Sequence, residues 1–242
     1  MRPGLKQSMN NAMMRTFFSL ASAVFFLMAG AGAQAGLQEG IDAYGKGDYP
    51  VALKEFKPLA AKGNALAQST LGYMYANGQG VPQDYKKALG WYRKAAAQGD
   101  ADAQTSLGVM YSKGQGVPQD YKKAVEWYRK AAEQNAADAQ SNLGVMYAEG
   151  RGVEQDEKEA ASWYSMAAEQ GHAPAQFNLG VMYANGQGVP HDLVQAYKWF
   201  SLAEASLGNE AANNRKMIEA DMSPQQIEEA QGLAREWAEK HK

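Results

Sequence analysis

An internal repeat of 36 residues constrains this chain more than any other feature of its sequence. Blocks that begin at Gln68, Gln104, Gln140 and Gln176 align without a gap. The first two blocks are identical at 26 of 36 positions, which excludes chance similarity. A unit of this length cannot bury its apolar residues alone, so the repeat predicts stacked copies with a continuous core.

Each block divides into two helical stretches joined by a glycine-rich loop. Apolar residues recur at three- or four-residue spacing, at Leu71 and Tyr75 in the first stretch and at Ala88 and Ala95 in the second. The intervening segment, residues 76–84, reads ANGQGVPQD and contains two glycines and a proline. Such residues favour a turn and interrupt a helix, so each block is predicted to form a helical hairpin.

The ends of the second helices are also marked in the sequence. An aspartate stands where each of these helices begins and can accept hydrogen bonds from the first free amides. These residues are Asp84, Asp120, Asp156 and Asp192. The same helices should end near Gly99, Asn135 and Gly171, because glycine and asparagine tolerate the left-handed conformation of a helix terminus.

A tryptophan recurs in the second helix of every block, at positions 91, 127, 163 and 199. Glycine recurs in the first helix, at positions 72, 108, 144 and 180, and leaves space for tryptophan or tyrosine from the partner helix. The tryptophans share a stripe with alanines of the buried type, so we expect them to pack in the core. The alternative is an exposed aromatic platform that binds sugar.

These columns carry a family resemblance. The pattern A-x-x-x-L-G-x-x-Y, then G-x-G-V-x-x-D, then A-x-x-W-Y-x-x-A-A resembles the Sel1-like repeat, a relative of the tetratricopeptide repeat. The resemblance covers residues 68 to about 204 in four copies, and a hairpin from about Leu37 resembles a plain tetratricopeptide unit. It implies an all-α fold, a right-handed α/α superhelical solenoid of helix-turn-helix repeats.

The repeat sets the predicted domain boundaries. A C-terminal capping helix is expected because Ser223, Pro224 and Gln226 form a capping-box pattern, and Ile227 to Trp237 continue at helical spacing. The predicted segments are a signal peptide (1–35), an N-terminal tetratricopeptide-like hairpin (36–67), four Sel1-like repeats (68–103, 104–139, 140–175 and 176–212) and the cap (213–242).

The first 35 residues are typical of a secretory signal peptide. Three basic residues precede an apolar run from Phe17 to Ala29, and small residues follow. The run is shorter than the roughly 20 residues of a stable membrane-spanning helix, so we expect cleavage after Ala35 and a periplasmic or secreted protein. An uncleaved membrane anchor is the alternative, and Met14 is an alternative start.

Composition and residue spacing argue against several functions. The formal charge of −2 leaves no basic excess for nucleic acid, and the absence of cysteine excludes disulfides and thiolate metal sites. The three histidines have no metal-ligand spacing, and the glycine pairs lack the remaining residues of a nucleotide-binding loop. We therefore expect no cofactor, no metal and no catalytic residues.

Three functions remain open. The resemblance implies a scaffold that binds a partner protein or peptide on a concave surface. Some cysteine-rich exported Sel1-like proteins have been associated with β-lactam binding or hydrolysis, but no serine here is followed three residues later by lysine. The third alternative is a membrane-tethered regulator.

The predicted binding surface lies on the first helices, which line the inner curve in tetratricopeptide-like stacks. Residues one before the leucine and two after the tyrosine should face outward, opposite the apolar stripe. These are Thr70, Asn77, Ser106, Lys113, Asn142, Glu149, Asn178 and Asn185. Their columns vary between repeats, so they could encode selectivity.

Overall fold

A computed structural model describes residues 31–241 of the chain, and side chains from residue 34 onward. Residues 1–30 of the predicted signal peptide, including the start at Met14, lie outside these residues, whereas the predicted cleavage site after Ala35 lies within the first described helix. Cleavage, the anchor and the start at Met14 stay predictions. Within residues 31–241, no helix is both long and apolar enough to span a membrane.

The described chain consists of twelve α-helices and contains no β-strand. Their bounds are α1 (Ala31–Gly45), α2 (Tyr49–Ala61), α3 (Ala65–Asn77), α4 (Tyr85–Ala96), α5 (Ala101–Lys113), α6 (Tyr121–Ala132), α7 (Ala137–Glu149), α8 (Glu157–Glu169), α9 (Ala173–Asn185), α10 (Leu193–Leu207), α11 (Asn209–Glu219) and α12 (Pro224–Lys240). We call α3, α5, α7 and α9 the A helices, and α4, α6, α8 and α10 the B helices.

Within the described residues, the helices form two compact units, residues 31–102 and 103–241. In the first unit, α2 packs on α1 and α3, and α3 packs on α4. In the second unit, consecutive helices from α6 to α10 pack on one another, α7 also contacts α9, and α11 and α12 both pack on α10. Each unit therefore buries its apolar faces between successive hairpins.

The predicted helix termini are confirmed. Asp120 Oδ1 accepts the amide hydrogen of Lys123 at 3.0 Å, and Asp84, Asp156 and Asp192 cap the other B helices in the same way. After the B helices, Gly99, Asn135 and Gly171 have φ of 90°, 65° and 80°. Asn135 is the one described residue other than glycine with positive φ, which explains asparagine in a glycine column.

The core contains a different aromatic column from the predicted one. Tyr92, Tyr128, Tyr164 and Phe200 are all buried, whereas three of the four tryptophans stay partly exposed. A Cβ atom added at Gly72 would lie 2.7 Å from the Tyr92 ring, so the helix A glycine accommodates tyrosine. The prediction that the tryptophans pack in the core is confirmed for Trp199, which is 3% exposed. It is only partly correct for Trp91, Trp127 and Trp163, which are partly buried, and Trp91 packs against the core of the first unit. Each of these three tryptophans directly precedes the buried tyrosine of its helix, so its side chain points about 100° away from that of the tyrosine around the helix axis.

The C-terminal region contains one helix more than expected. The polar segment at residues 213–215 lies within α11, and that helix crosses the predicted boundary at residue 212. The capping helix α12 is present, and its capping box is formed by Ser223 and Gln226. Arg215 fixes α11 on α10 through hydrogen bonds to Glu204 at 3.1 Å and to Tyr197 at 3.0 Å.

Candidate partner-binding surface

The A helices are enclosed on most of their circumference. In α7, the residues at 139–141, 143, 144 and 146 are buried, and α7 contacts both α6 and α8. A helix that packs on two neighbours needs apolar or small residues on opposite faces, which explains why these helices are not strongly amphipathic. Little of an A helix is therefore available to a partner.

Two columns of residues were predicted to face a partner, one directly before the leucine that recurs in every A helix and one two residues after the tyrosine. The column before the leucine is the more buried of the two. Thr70 is 6% exposed, and its Oγ1 donates to the Leu66 carbonyl oxygen at 2.8 Å. The expectation that Thr70 faces outward is wrong, because α3 packs on α2 as well as on α4. Ser106, Asn142 and Asn178 are half-buried.

The column after the tyrosine is exposed in every repeat. Asn77, Lys113, Glu149 and Asn185 are each the last residue of an A helix. Their charges differ from repeat to repeat. We call Lys113, Glu149 and Asn185 the rim of the second unit. Glu149 pairs with Arg151 of the adjacent loop, with 2.9 Å between Oε2 and Nε.

The loops beside these residues are held firmly. Gln119 Nε2 donates to the Ser112 carbonyl oxygen at 2.7 Å, and Gln155 Nε2 donates to the Ala148 carbonyl oxygen at 3.0 Å. The second glycine of the loop lies against the preceding B helix: a Cβ atom at Gly188 would collide with the backbone of Glu157. The rim is therefore carried on a fixed backbone.

A glutamine ladder connects successive hairpins, and sequence analysis did not assign it a role. Gln140 Nε2 donates to the Ala132 carbonyl oxygen at 3.4 Å, and Gln140 Oε1 accepts from Gln170 Nε2 at 2.6 Å. In the first unit, Gln68 makes the matching bonds to Ala60 and Gln98. The signal was present, because glutamine opens all four aligned blocks. These amides are buried and paired, so their role is structural.

The titratable groups serve mainly in packing and capping. Burial raises the pKa of Tyr128 to about 12 and also raises the pKa of Tyr44 and Tyr164. His172 accepts the amide hydrogen of Ala175 at Nδ1, so its Nε2 carries the hydrogen that faces Asp138 at 3.0 Å. Among the described residues, no three metal-ligating side chains cluster.

Lysine side chains lie over three of the four tryptophan rings of the B helices. Lys130 Nζ lies 4.3 Å from the ring centroid of Trp127, and Lys94 lies at the same distance from Trp91. Lys198 is 3.9 Å from Trp199, and burial lowers its pKa. Each lysine thus lies over the face of a tryptophan ring, where its aliphatic stem covers part of the indole and its charge interacts with the ring.

Comparison with known protein families and structures identifies the repeat. The family model described as Sel1 repeat matches residues 65–100, 101–135, 137–172 and 173–206. These spans have the predicted period and begin about three residues earlier than the predicted ones. A comparison with curated protein sequences found no match.

Solved structures agree with this assignment. A protective antigen of uropathogenic Escherichia coli with an SLR fold is 38% identical, with a TM-score of 0.79 over 86% of this chain and 46% of its own. A Sel1 repeat protein from Oxalobacter formigenes is 35% identical, with a TM-score of 0.71 over 85% of this chain and 82% of its own. This chain thus spans less than half of the E. coli protein.

An immunity protein from Pseudomonas aeruginosa shares the fold at 20% identity, with a TM-score of 0.53 over 88% of this chain and 84% of its own. The twelve described helices and these structures confirm the predicted fold class, an all-α solenoid of helical repeats. The four matched repeats cover more than half of the sequence, and the chain belongs to the Sel1 repeat family.

Proposed function

We propose that this protein is a non-catalytic scaffold or adaptor of the bacterial cell envelope that binds a partner protein or peptide. Sel1 repeat proteins are generally protein-interaction scaffolds. The observation that carries the proposal is the rim, where Lys113, Glu149 and Asn185 are exposed at equivalent positions of the aligned repeats and differ in charge. A backbone framework that repeats, with exposed rim side chains that differ between repeats, favours selective recognition of a partner.

The backbone beneath the rim favours this role. The loops are bonded to the ends of the A helices, so little conformational entropy is lost when a partner binds. The half-buried Ser106, Asn142 and Asn178 provide a second row of polar side chains on the same helices. Asn77 occupies the equivalent rim position in the first unit.

The test is capture of a partner from envelope extract with the mature protein, followed by binding measurements on the purified pair. Lys113→Glu combined with Glu149→Lys should weaken binding at least tenfold, about 1.4 kcal/mol, and leave the melting temperature nearly unchanged. The matched control is Lys122→Glu with Glu126→Lys on α6, where both side chains are exposed. Equal binding by the rim variant and the control would place the interface elsewhere.

The envelope location rests on the predicted signal peptide. The mature protein from its native host should begin at Gly36 and lie outside the cytoplasm. Intact mass and N-terminal sequencing measure this directly. The full-length chain in the membrane fraction would favour the uncleaved anchor and a tethered regulator.

The non-catalytic role is tested against the hydrolase alternative. Purified protein should not accelerate hydrolysis of a chromogenic β-lactam above the buffer rate, since no S-x-x-K arrangement is present. Turnover that persists in independently purified preparations would contradict the scaffold proposal.

A further inference from the structure

Trp237 of the capping helix packs against residues of two B helices, α8 and α10. Trp237 Nε1 of α12 donates to Glu169 Oε2 at 2.8 Å. Its ring meets Trp199 edge-on, with 6.4 Å between centroids, and lies 3.6 Å from the Cβ position of Gly171. A carboxylate, an aromatic ring and a helix terminus thus hold one indole.

The repeat presents the same three groups 36 residues earlier, at Glu133, Asn135 and Trp163, which we call the third-repeat subsite. The backbone there is equivalent, because Asn135 has φ of 65° where Gly171 has 80°. The backbone connection between hairpins also matches, because Gln140 bonds the Ala132 carbonyl as Gln176 bonds that of Ala168. Gln140 also bonds Asn135 Oδ1 at 3.2 Å, and this bond holds the Asn135 side chain, which Gly171 lacks.

The exposure of the two tryptophans differs. Trp199 is 3% exposed, whereas Trp163 in the equivalent position is partly exposed. Trp237 contacts Trp199, which accounts for the additional burial. The Nε1 atom of Trp163 is buried and has no acceptor, so this side chain presents hydrocarbon to solvent. Glu133 is exposed.

The third repeat also lacks the lysine that covers tryptophan in the two preceding repeats. Lys94 and Lys130 occupy that position and stack on Trp91 and Trp127. The third repeat has Met166 there, 40% exposed and one helical turn after Trp163. Met166 and Met217 are the two large apolar side chains that stand exposed in the described chain. Methionine adapts its shape to an incoming apolar group and contacts aromatic rings favourably.

The carboxylate that could accept an indole N–H also distinguishes the third repeat from the earlier ones. The position of Glu133 and Glu169 is occupied by alanine at residues 61 and 97. A carboxylate beside a tryptophan not covered by lysine therefore occurs in the third repeat. In the fourth repeat, Trp237 of the chain itself occupies the equivalent position.

We propose, building on the scaffold function above, that the third-repeat subsite binds a tryptophan near the end of an amphipathic helix of the partner protein. The indole N–H donates to Glu133, and the ring packs on Trp163 and Met166. The chemistry of the occupant follows from α12, since the same arrangement around Glu169 holds a tryptophan of an amphipathic helix. A sugar would satisfy the carboxylate but not reproduce the edge-on aromatic contact.

The test uses a peptide with the sequence of residues 223–241, labelled at its N-terminus, and the mature protein. Fluorescence anisotropy should show saturable binding. Glu133→Ala and Met166→Lys in the protein should each weaken it at least tenfold, the latter because lysine would cover Trp163. A peptide with alanine in place of its tryptophan should lose binding to the same degree. Glu154→Ala and Met217→Lys are the matched controls, and both should bind normally.

Unchanged binding in Glu133→Ala and Met166→Lys would overturn the inference. Loss of binding with Glu169→Ala alone would also overturn it, because the peptide would then occupy the seat of α12. A dimer in sedimentation that disappears with Glu133→Ala would identify a second copy of this chain as the occupant instead of a partner. A captured partner that binds both variants normally would overturn the subsite alone, whereas a mature protein that captures no partner would overturn the proposed function.

Discussion

Gly144 of α7 lies directly beneath the ring of Tyr164 of α8, and a Cβ atom on that glycine would come within 2.6 Å of the ring. The two residues belong to the hairpin formed by α7 and α8. Both are buried, and Tyr164 is 4% exposed. The close approach of these two helices therefore depends on the absence of a side chain at residue 144.

Gly144→Ala should consequently destabilise the protein although alanine favours helices. The added methyl group must displace Tyr164 or separate the helices, at a cost of about 1 to 3 kcal/mol. Gly90→Ala is the matched control, because Gly90 lies in α4 with nothing within 4 Å of its Cβ position. That variant should gain roughly 0.5 to 1 kcal/mol. Chemical denaturation measures both changes, and equal changes in stability would show that Gly144 is not in close contact with Tyr164.

Two adjacent aromatic residues of α6 should differ in their contribution to stability. Tyr128 is 2% exposed, so Tyr128→Ala should cost about 3 to 5 kcal/mol. Trp127 is partly exposed beneath Lys130, and Trp127→Ala should cost at least about 1 kcal/mol less than Tyr128→Ala. Free energies of unfolding from urea titrations test this order. A larger loss of unfolding free energy in Trp127→Ala than in Tyr128→Ala would show that the tryptophan column, and not the tyrosine column, forms the core.

Alkaline pH should destabilise the protein through its buried tyrosines. Burial raises the pKa of Tyr128 from 10 to about 12, so above pH 10 the unfolded chain releases this proton first. The contribution of protonated Tyr128 to the free energy of unfolding is therefore fully present below pH 10 and is lost as the pH rises through 12. The loss from this residue amounts to roughly 2 to 3 kcal/mol. Tyr128→Phe should reduce the decline in unfolding free energy between pH 10 and 12, and an identical pH profile would contradict this.

The C-terminal helices should depend on Arg215. Its guanidinium group bonds Glu204, Glu219 and Tyr197, and its side chain is 18% exposed. Arg215→Ala leaves the two carboxylates without this partner and should cost about 1 to 3 kcal/mol. Hydrogen exchange should accelerate in α11 first, because the network joins that helix to α10. Lys216→Ala, at an exposed neighbouring position, is the control and should change protection little.

The sequence determined the hairpins and most of the helix termini, which depend on local chemistry and on the repeat itself. The 36-residue period established the hairpins, the capping aspartates marked the start of each B helix, and Asn135 in a glycine column marked the end of one. These inferences succeed because each concerns the backbone of a few consecutive residues. The capping box of α12 was predictable for the same reason.

The tertiary structure decided which residues of each helix face its neighbours. Trp127 and Tyr128 are adjacent and both aromatic, so the sequence could not show which one occupies the space above the helix A glycine. Thr70 was expected at the surface, and packing of α3 on α2 buried it. The exposure of Trp163, and the contact of Trp237 with Glu169 from 68 residues away, depend on how hairpins stack. The repeat period alone does not specify this geometry, because the sequence identifies contact columns but not the rotation of one helix against the next.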